Sequence, residues 1–401
     1  MLIAGETSGD LLAAELVSAL REQSAILHPP SSPQFFGAGG AKMAAAGVEL
    51  AFDMTQHSVI GITDVLKNIL KFRRLFNQLL ALALERKPDV IIGIDFGGFN
   101  LRFGQAVKKY VRENPFSKWD PKIVQFVSPQ VWASRPGRAD KLARDYDLLL
   151  SIFPFEQAWY AKRVPKLRVE FVGHPMIGRF TNDDLRFTRC NSESSRSRGD
   201  ETQIKKKLET PHVVSYNVLL LPGSRKSELQ RHLPVMLDAL KLIQEKLPAT
   251  KAKMVLPNPA LVSLAKSLGA TNLEIQIGEL PWALAEADVA LASTGTVTME
   301  CAFFGVPTVT LYKTSWLTYQ IARRIVTVKS LTMPNLLAGE TVYPEFIQSE
   351  ATPENLSRAA LELLQDESQR GQIKTQLAQI ITSLGEPGAA KRAANAVLSL
   401  L

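Results

Sequence analysis

The chain has 401 residues, 46% of them hydrophobic and 21% charged, and a chain of this length is expected to fold as two domains with separate cores. Its two cysteines and five scattered histidines argue against a disulfide framework and against a zinc site. A net charge of +8 favours an anionic partner, without choosing among nucleic acid, phosphorylated small molecules and acidic membranes. The sequence contains neither an apolar run long enough to cross a bilayer nor a basic-then-apolar leader.

Residues 1–175 alternate short apolar runs with helical patterns, which predicts βα units around a parallel sheet and a first Rossmann-like domain. About four residues precede the first glycine turn, so the first strand is expected to be short or to lack its natural start. The predicted strands are Met1–Ala4, Gln34–Gly37, Val90–Ile94, Lys122–Val127, Leu148–Ile152 and Arg168–Phe171. The predicted helices are Gly9–Glu22, Asp64–Glu85, Leu101–Glu113, Pro136–Asp145 and Phe155–Arg163.

Residues 176–385 repeat the alternation and predict a second domain of the same kind. Residues 187–207 interrupt it with a polar, Ser-rich stretch, which predicts a disordered insertion; a passive solvated loop is favoured there over a regulatory or nucleic-acid role. A last helix within 386–401 is expected to pack back onto the first domain. The predicted strands are Val213–Leu221, Lys253–Leu256, Leu273–Gln276, Val289–Ala292 and Thr308–Leu311. The predicted helices are Arg225–Lys246, Pro259–Ser267, Leu280–Glu286, Val297–Phe304, Pro353–Gln365 and Glu367–Leu384.

Two loops of the second predicted domain have the composition of anion-binding turns. In the first, Gly223 permits close approach of the backbone, Ser224 is expected to cap the following helix, and Arg225 offers a guanidinium fork to phosphate. An ordinary helix cap beside a surface arginine is the alternative. The missing Gly-Lys-Ser/Thr loop argues against a P-loop NTPase.

The second loop consists of Ser293, Thr294, Gly295 and Thr296 at the start of a helix, where free amides and the helix dipole favour an anion. Glu300 lies one turn further on the same helix face, where a carboxylate could accept hydrogen bonds from a ribose diol. A capped crossover helix is the alternative for this loop alone. Together the two loops indicate a diphosphate held between helix starts.

Candidate chemistry in the first domain lies at predicted strand ends, where ligands of parallel sheets gather. Asp95 ends a buried strand and is a candidate general base, although an aspartate that caps its own loop fits equally. Ser128 and Trp132 follow the next strand and suit contact with a sugar or headgroup. The first strand ends in a glycine-rich turn that could bind an anion or simply turn the chain, formed by Gly5, Glu6, Thr7, Ser8 and Gly9.

These motifs resemble those of lipid-A-disaccharide synthases, which are sugar-nucleotide glycosyltransferases. The resemblance spans nearly the whole chain except residues 187–207. It is carried by AGETSGD (4–10), GIDFGGFN (93–100), VSPQVWASR (127–135), FPFE (153–156), FVGHP (171–175), LLPGSR (220–225), STGTVTMECAFFGVPTV (293–309) and MPNLLAG (333–339). Each segment alone is unspecific, but together they identify the family.

The resemblance implies a GT-B fold, with two Rossmann-like parallel-sheet domains facing a cleft. It implies an inverting transfer from UDP-2,3-diacylglucosamine to 2,3-diacylglucosamine 1-phosphate (lipid X), with Asp95 and Arg225 as the essential residues and with no metal or other cofactor. The family often has a second acidic residue where this chain has Gly98, which leaves Asp95 as the sole local base. Expected contacts with the UDP-sugar are Gly223, Ser224, Arg225, Ser293, Thr294, Gly295, Thr296, Glu300 and Asn335. Expected contacts with the acceptor are Gly5, Glu6, Thr7, Ser8, Gly9, Asn100, Ser128 and Trp132.

Other interpretations stay open at this point. They are another UDP-N-acetylglucosamine enzyme of the same architecture, such as an epimerase or a peptidoglycan-type transferase, and a non-catalytic binder of nucleotide sugars. Nucleic acid is not expected as a partner, because the basic residues are dispersed and not interleaved with aromatic residues. Residues 60–77 combine an apolar stripe with lysines and arginines, a pattern of an anionic membrane surface or of a helix packed on a sheet. The packed helix is favoured for most of the segment, and the Phe72–Phe76 end stays open. A homodimer is possible. A bacterial protein would work at the cytoplasmic face of the membrane, and a eukaryotic one in a mitochondrion or another organelle.

Overall fold

The structure is a computed structural model that describes residues 1–27, 33–55, 62–179 and 215–401, with the backbone alone for 62–69. The chain divides into two compact units. The first contains Met1–Arg179, Ile325–Thr327 and Leu384–Leu401, and the second contains the described residues of 215–324 together with Val328–Ser383. The polar insertion predicted for 187–207 lies outside the described residues.

The first unit is built on a parallel sheet of seven strands. They are β1 (Leu2–Ala4), β2 (Phe36–Gly39), β3 (Glu49–Asp53), β4 (Val90–Ile94), β5 (Lys122–Phe126), β6 (Leu148–Ser151) and β7 (Val169–Phe171). Their order in the sheet is β3-β2-β1-β4-β5-β6-β7. The central strands are largely apolar and buried, as expected for a parallel sheet covered by helices on both faces.

All the helices predicted for this unit are present. The short helices Ala41–Ala45 and Val131–Ser134 and the strand β3 were not predicted. Strand β3 escaped prediction because it is a partly exposed edge strand that lacks a continuous apolar run. The helices with sequence numbers below 180 are Thr7–Leu27, Ala41–Ala45, Ile62–Arg86, Gly97–Glu113, Val131–Ser134, Arg138–Asp145 and Pro154–Arg163.

The second unit has a parallel sheet with the order β10-β9-β8-β11-β12-β13. The predicted strands and helices are present, whereas Trp316–Ile325, Met333–Ala338 and the short edge strand β13 were missed. The strands are β8 (Asn217–Leu221), β9 (Lys251–Leu256), β10 (Glu274–Ile277), β11 (Val289–Ser293), β12 (Thr308–Tyr312) and β13 (Glu345–Ile347). The helices are Lys226–Lys246, Val262–Ser267, Leu280–Glu286, Val297–Phe303, Trp316–Ile325, Met333–Ala338, Pro353–Gln365 and Glu367–Ser383.

Each sheet has a topological switch point, where the strand order reverses and ligands of α/β proteins usually bind. In the first unit it lies between β1 and β4, and in the second between β8 and β11. The chain leaves these four strands through the glycine turn at 5–9, the Asp95 loop, the Gly223 loop and the Ser293 loop. The candidate chemistry in each unit therefore gathers at one switch point.

The carboxyl-terminal helix Ala389–Leu398 belongs to the first unit and packs against helix Thr7–Leu27. Arg392 Nε donates to the Val172 carbonyl at 2.8 Å, and Arg168 Nη2 donates to Ser399 Oγ at 2.9 Å. No helix among the described residues is both long and apolar enough to cross a membrane.

Candidate active site

The backbone at Asp95 is strained and held from two sides. Asp95, Phe96 and Val127 all have positive φ angles, of 50°, 46° and 67°, which is uncommon for residues other than glycine. The Asp95 amide donates to the Phe126 carbonyl at 2.9 Å, while Asn100 Nδ2 and Gln125 Nε2 both donate to the Asp95 carbonyl at 2.9 Å. Strain of this kind, in a segment held in place by its neighbours, is typical of functional sites.

Burial raises the pKa of the Asp95 carboxyl, and a backbone hydrogen bond from Phe96 opposes the shift. A carboxylate with a raised proton affinity is a better general base than an ordinary surface aspartate. The carboxylate lines a cavity of about 320 Å³ that also includes Gly98, Ser128, Arg135 and Arg138. Gly98 leaves open space beside Asp95, since a Cβ at that position would meet nothing within 4 Å.

The glycine turn at 5–9 lies directly beside Asp95. A Cβ built on Gly9 would lie 3.7 Å from Asp95 Cβ, and one built on Gly5 would collide with the ring of Phe96. Thr7 and Ser8 are exposed in the first turn of helix Thr7–Leu27, while Glu6 is half-buried. The tertiary structure thus brings the exposed part of this turn to the neighbourhood of the candidate base.

Asn100, predicted to contact the acceptor, instead supports the base. It is buried, and its amide group donates to backbone carbonyls including that of Asp95. Gln125 has the same function and escaped sequence analysis. The signal that could have revealed Gln125 was a lone amide among the apolar residues Ile123, Val124 and Phe126 of its strand.

Trp132 is also placed differently from the prediction that it faces the acceptor. The indole is only 8% exposed, packs edge-to-face on Phe155, and donates from Nε1 to Glu156 Oε1 at 2.9 Å. Glu156 also accepts a hydrogen bond from Ser151 Oγ at 2.8 Å, and burial raises its pKa to about 7. Ser128 lines the cavity, and its Oγ donates to the Tyr160 hydroxyl at 3.1 Å. Trp132 therefore ties the loop after β5 to Glu156.

The Gly223 loop is organised by Glu228. Its carboxylate accepts hydrogen bonds from the Ser224 amide at 3.1 Å and from Arg225 Nη1 at 3.0 Å. Gly223 has φ of 119°, and a Cβ there would lie 2.5 Å from Glu228 Oε2, so only glycine fits. The prediction that Ser224 caps the helix is wrong, because the cap residue is Arg225 and no side chain makes a cap hydrogen bond. The Arg225 guanidinium is partly exposed and held in place by Glu228.

The Ser293 loop presents amides near the start of helix Val297–Phe303. Ser293 is buried at the end of β11, and the Thr294 amide donates to the Leu311 carbonyl at 3.2 Å. The Gly295 and Thr296 amides make no hydrogen bond with any described residue, and both residues are exposed. Glu300 is half-buried in the first turn of the helix. The loop can therefore offer two amides to an anion.

Asn335, predicted to contact the UDP-sugar, is occupied by internal hydrogen bonds. It is 2% exposed, donates to the Tyr343 carbonyl and to Glu345 Oε1, and accepts from the Val342 and Tyr343 amides, each at 2.8 Å. Glu345 in turn accepts from the Leu331 and Thr332 amides. This arrangement gives Asn335 a structural function in ordering the segment before β13.

His232 is a further residue that sequence analysis missed. It is fully buried, and its Nε2 accepts from the Lys313 amide at 3.0 Å while Nδ1 lies 2.9 Å from the Pro222 carbonyl. Burial lowers the pKa of the imidazole, which favours a neutral ring that donates from Nδ1. His232 thereby ties the loop after β8 to the loop after β12.

His174, in the segment FVGHP, accepts a hydrogen bond from the Met176 amide on Nδ1 at 3.2 Å, and burial lowers its pKa to about 4. These features fit a structural residue. Among the residues that the structure describes, no group of three or more histidine, cysteine, aspartate or glutamate side chains could hold a metal ion.

Comparisons with known proteins connect this site to a family. The family model described as Lipid-A-disaccharide synthetase matches residues 1–400. A lipid-A-disaccharide synthase of Trichlorobacter lovleyi is 36% identical, over 100% of this chain and 97% of that protein. A second one, of Myxococcus xanthus, is 34% identical with the same coverage. The glycosyltransferase of kitacinnamycin has a similar fold, with a TM-score of 0.60 at 18% identity over 100% of this chain and 98% of that one. The chain belongs to the lipid-A-disaccharide synthetase family, and it is a glycosyltransferase with the GT-B fold.

Proposed function

We propose that the protein transfers the glucosaminyl group of UDP-2,3-diacylglucosamine to the 6-hydroxyl of 2,3-diacylglucosamine 1-phosphate. The products are the β-1,6-linked lipid A disaccharide 1-phosphate and UDP. Membership in the lipid-A-disaccharide synthetase family along the whole chain supports this reaction. The structural observation that carries it is a half-buried carboxylate, Asp95, in a cavity at the switch point of the first sheet.

In the proposed reaction Asp95 acts as the general base. Its carboxylate takes the proton of the acceptor 6-hydroxyl while the hydroxyl oxygen forms a bond to the anomeric carbon of the donor. The bond from that carbon to the UDP oxygen breaks on the opposite face, which inverts the configuration. The raised proton affinity of Asp95 and its fixed backbone suit this function.

The leaving UDP carries the electron pair of the broken bond and must be stabilised. Arg225, held by Glu228, supplies a guanidinium fork, and the Gly295 and Thr296 amides supply donors at a helix start. Groups fixed before the reaction stabilise the growing charge with little reorganisation. Glu300 is proposed to hold the ribose hydroxyls.

The lipid substrates suggest a membrane surface as a partner. The first unit offers Leu70, which is 77% exposed and lies next to the exposed Lys71, Arg73 and Arg74. An apolar side chain among cations suits an anionic bilayer surface. Peripheral binding at the cytoplasmic face and a homodimer are parts of this proposal that stay predictions.

The test is formation of disaccharide and UDP from the two purified substrates. We expect Asp95→Asn and Arg225→Ala each to lower kcat/KM by roughly 100-fold or more, because each removes a group that acts on the transition state. Asp120→Asn and Arg231→Ala are the controls, since both change an exposed charge elsewhere on the same units.

Two results would contradict the proposal. One is full activity in either site variant. The other is a folded wild type that binds UDP but forms no disaccharide, which would point to a different sugar substrate or to a non-catalytic binder.

A further inference from the structure

Two arginines line the cavity of the candidate base, and the charge of a third, Arg102, acts on one of them. Arg135 follows the short helix Val131–Ser134, and Arg138 begins helix Arg138–Asp145; both line the cavity that contains Asp95. Arg102 lies on helix Gly97–Glu113, which packs against the helix that starts at Arg138. Burial lowers the pKa of the Arg138 guanidinium, and the nearby positive charges of Arg135 and Arg102 lower it further.

These three arginines have no counter-ion among the residues that the structure describes. In the part of the chain that the structure describes, none of the three guanidinium groups forms an ion pair. By contrast, the neighbouring Arg112 and Arg144 both pair with Asp145. Holding like charges together without a partner opposes folding, so a bound anion would stabilise this arrangement.

Asp95 does not serve as that anion. Among the described residues, neither Arg135 nor Arg138 forms an ion pair with the Asp95 carboxylate, although all three residues line the same cavity. A guanidinium fork matches the geometry of phosphate oxygens and binds them in bidentate fashion. The cavity therefore combines the candidate base with a pair of guanidinium groups suited to phosphate.

We propose that Arg135 and Arg138 bind the phosphomonoester on C1 of the acceptor, with Arg102 strengthening the local positive field. This inference rests on the proposed function, which supplies the acceptor. In a hexosamine 1-phosphate, the 6-hydroxyl and the phosphate are joined through C6, C5, the ring oxygen and C1. One cavity can therefore hold both groups, and anchoring the phosphate would present the 6-hydroxyl to Asp95.

The test measures binding of the acceptor lipid in detergent, with and without its 1-phosphate, to the full-length protein. We expect the wild type to bind the phosphorylated acceptor roughly 10- to 100-fold more tightly than the acceptor without phosphate. The reason is that only the phosphate can form charge-assisted hydrogen bonds with the guanidinium groups. The double variant R135Q/R138Q should bind both ligands about equally. Arg144→Gln, which removes a cation from the far end of the same helix, should keep the wild-type preference.

Further measurements separate this inference from other outcomes. UDP affinity unchanged in the double variant supports the acceptor phosphate as the ligand, whereas loss of UDP affinity overturns it in favour of the donor diphosphate. The inference would also be overturned if the double variant lost binding to vesicles containing phosphatidic acid but still preferred the phosphorylated acceptor. The arginines would then bind a membrane headgroup. Disaccharide formation is assayed separately. If the wild type prefers the phosphorylated acceptor but forms no disaccharide, that result contradicts the proposed reaction but leaves the phosphate site standing.

Discussion

At the scale of single residues, the candidate base is defined by what holds its backbone. Non-glycine residues with positive φ angles follow β4, at Asp95 and Phe96, and β5, at Val127, and Asn100 and Gln125 both donate hydrogen bonds to the Asp95 carbonyl. The apolar run before Asp95 is sufficient to predict that this residue lies at a strand end. An amide such as Asn100 next to a strand end resembles a ligand contact until the direction of its side chain is known.

Gln125→Met tests the contribution of this support. The substitution keeps the length of the side chain and removes the donor to the Asp95 carbonyl. We expect kcat to fall about 10-fold, because a small displacement of a catalytic group is costly, and the KM for UDP-sugar to change little. Steady-state kinetics with both substrates varied would measure this, and an unchanged kcat in a normally folded variant would show that Gln125 does not position Asp95.

At the scale of an element, the loop after β5 rests on the buried carboxyl of Glu156. The Trp132 indole and the Ser151 hydroxyl both donate to it, so the loop that lines the cavity is tied to the start of helix Pro154–Arg163. The segment FPFE was recognised as a family motif, but its function was invisible in the sequence. Only the structure shows that the acidic residue points into the core.

The pH dependence of stability follows from the raised pKa of Glu156. A carboxyl whose folded pKa of about 7 lies above its ordinary value of 4.5 contributes stability below pH 4.5, and this is lost as the pH rises towards 7. Glu156→Gln keeps an acceptor for Trp132 and removes the titration. Relative to the wild type, the variant should gain about 3 kcal/mol in free energy of unfolding between pH 4.5 and pH 8.

Chemical unfolding of both proteins at the two pH values would measure that gain. Glu156→Leu serves as the contrast, since it leaves the Trp132 indole donor unpaired, whereas the Ser151 hydroxyl keeps the Phe153 carbonyl as an acceptor. This variant should be destabilised at every pH by about 1–3 kcal/mol. If the free energies of unfolding of the wild type and of Glu156→Gln differ by the same amount at both pH values, Glu156 does not titrate in this range.

At the scale of the whole molecule, the first unit is completed by residues from the far end of the chain. The helix Ala389–Leu398 packs on helix Thr7–Leu27, and Leu398 is 8% exposed. The apolar pattern of this helix was readable in the sequence, but the surface that it covers was not.

Leu398→Ala should therefore destabilise the protein although it lies far from the candidate base in sequence. Removal of a buried leucine side chain is expected to lower the free energy of unfolding by about 2–5 kcal/mol. Leu401→Ala is the matched control, because Leu401 is 69% exposed and its loss should have little effect. Thermal unfolding would compare the two variants, and equal midpoints would mean that the terminal helix does not stabilise the first unit.

The sequence by itself determined the local elements, the two parallel sheets and the family, because apolar periodicity, glycine turns and contiguous motifs are properties of neighbouring residues. It also located the loops at both switch points, since a strand followed by a helix start fixes where a loop emerges. Only the tertiary structure decided that Asn100, Trp132 and Asn335 face inward, that Gln125, Glu156 and His232 support the loops, and that Arg102, Arg135 and Arg138 meet. Side-chain direction and long-range proximity depend on how helices pack on the sheet, and no local pattern in the chain encodes them.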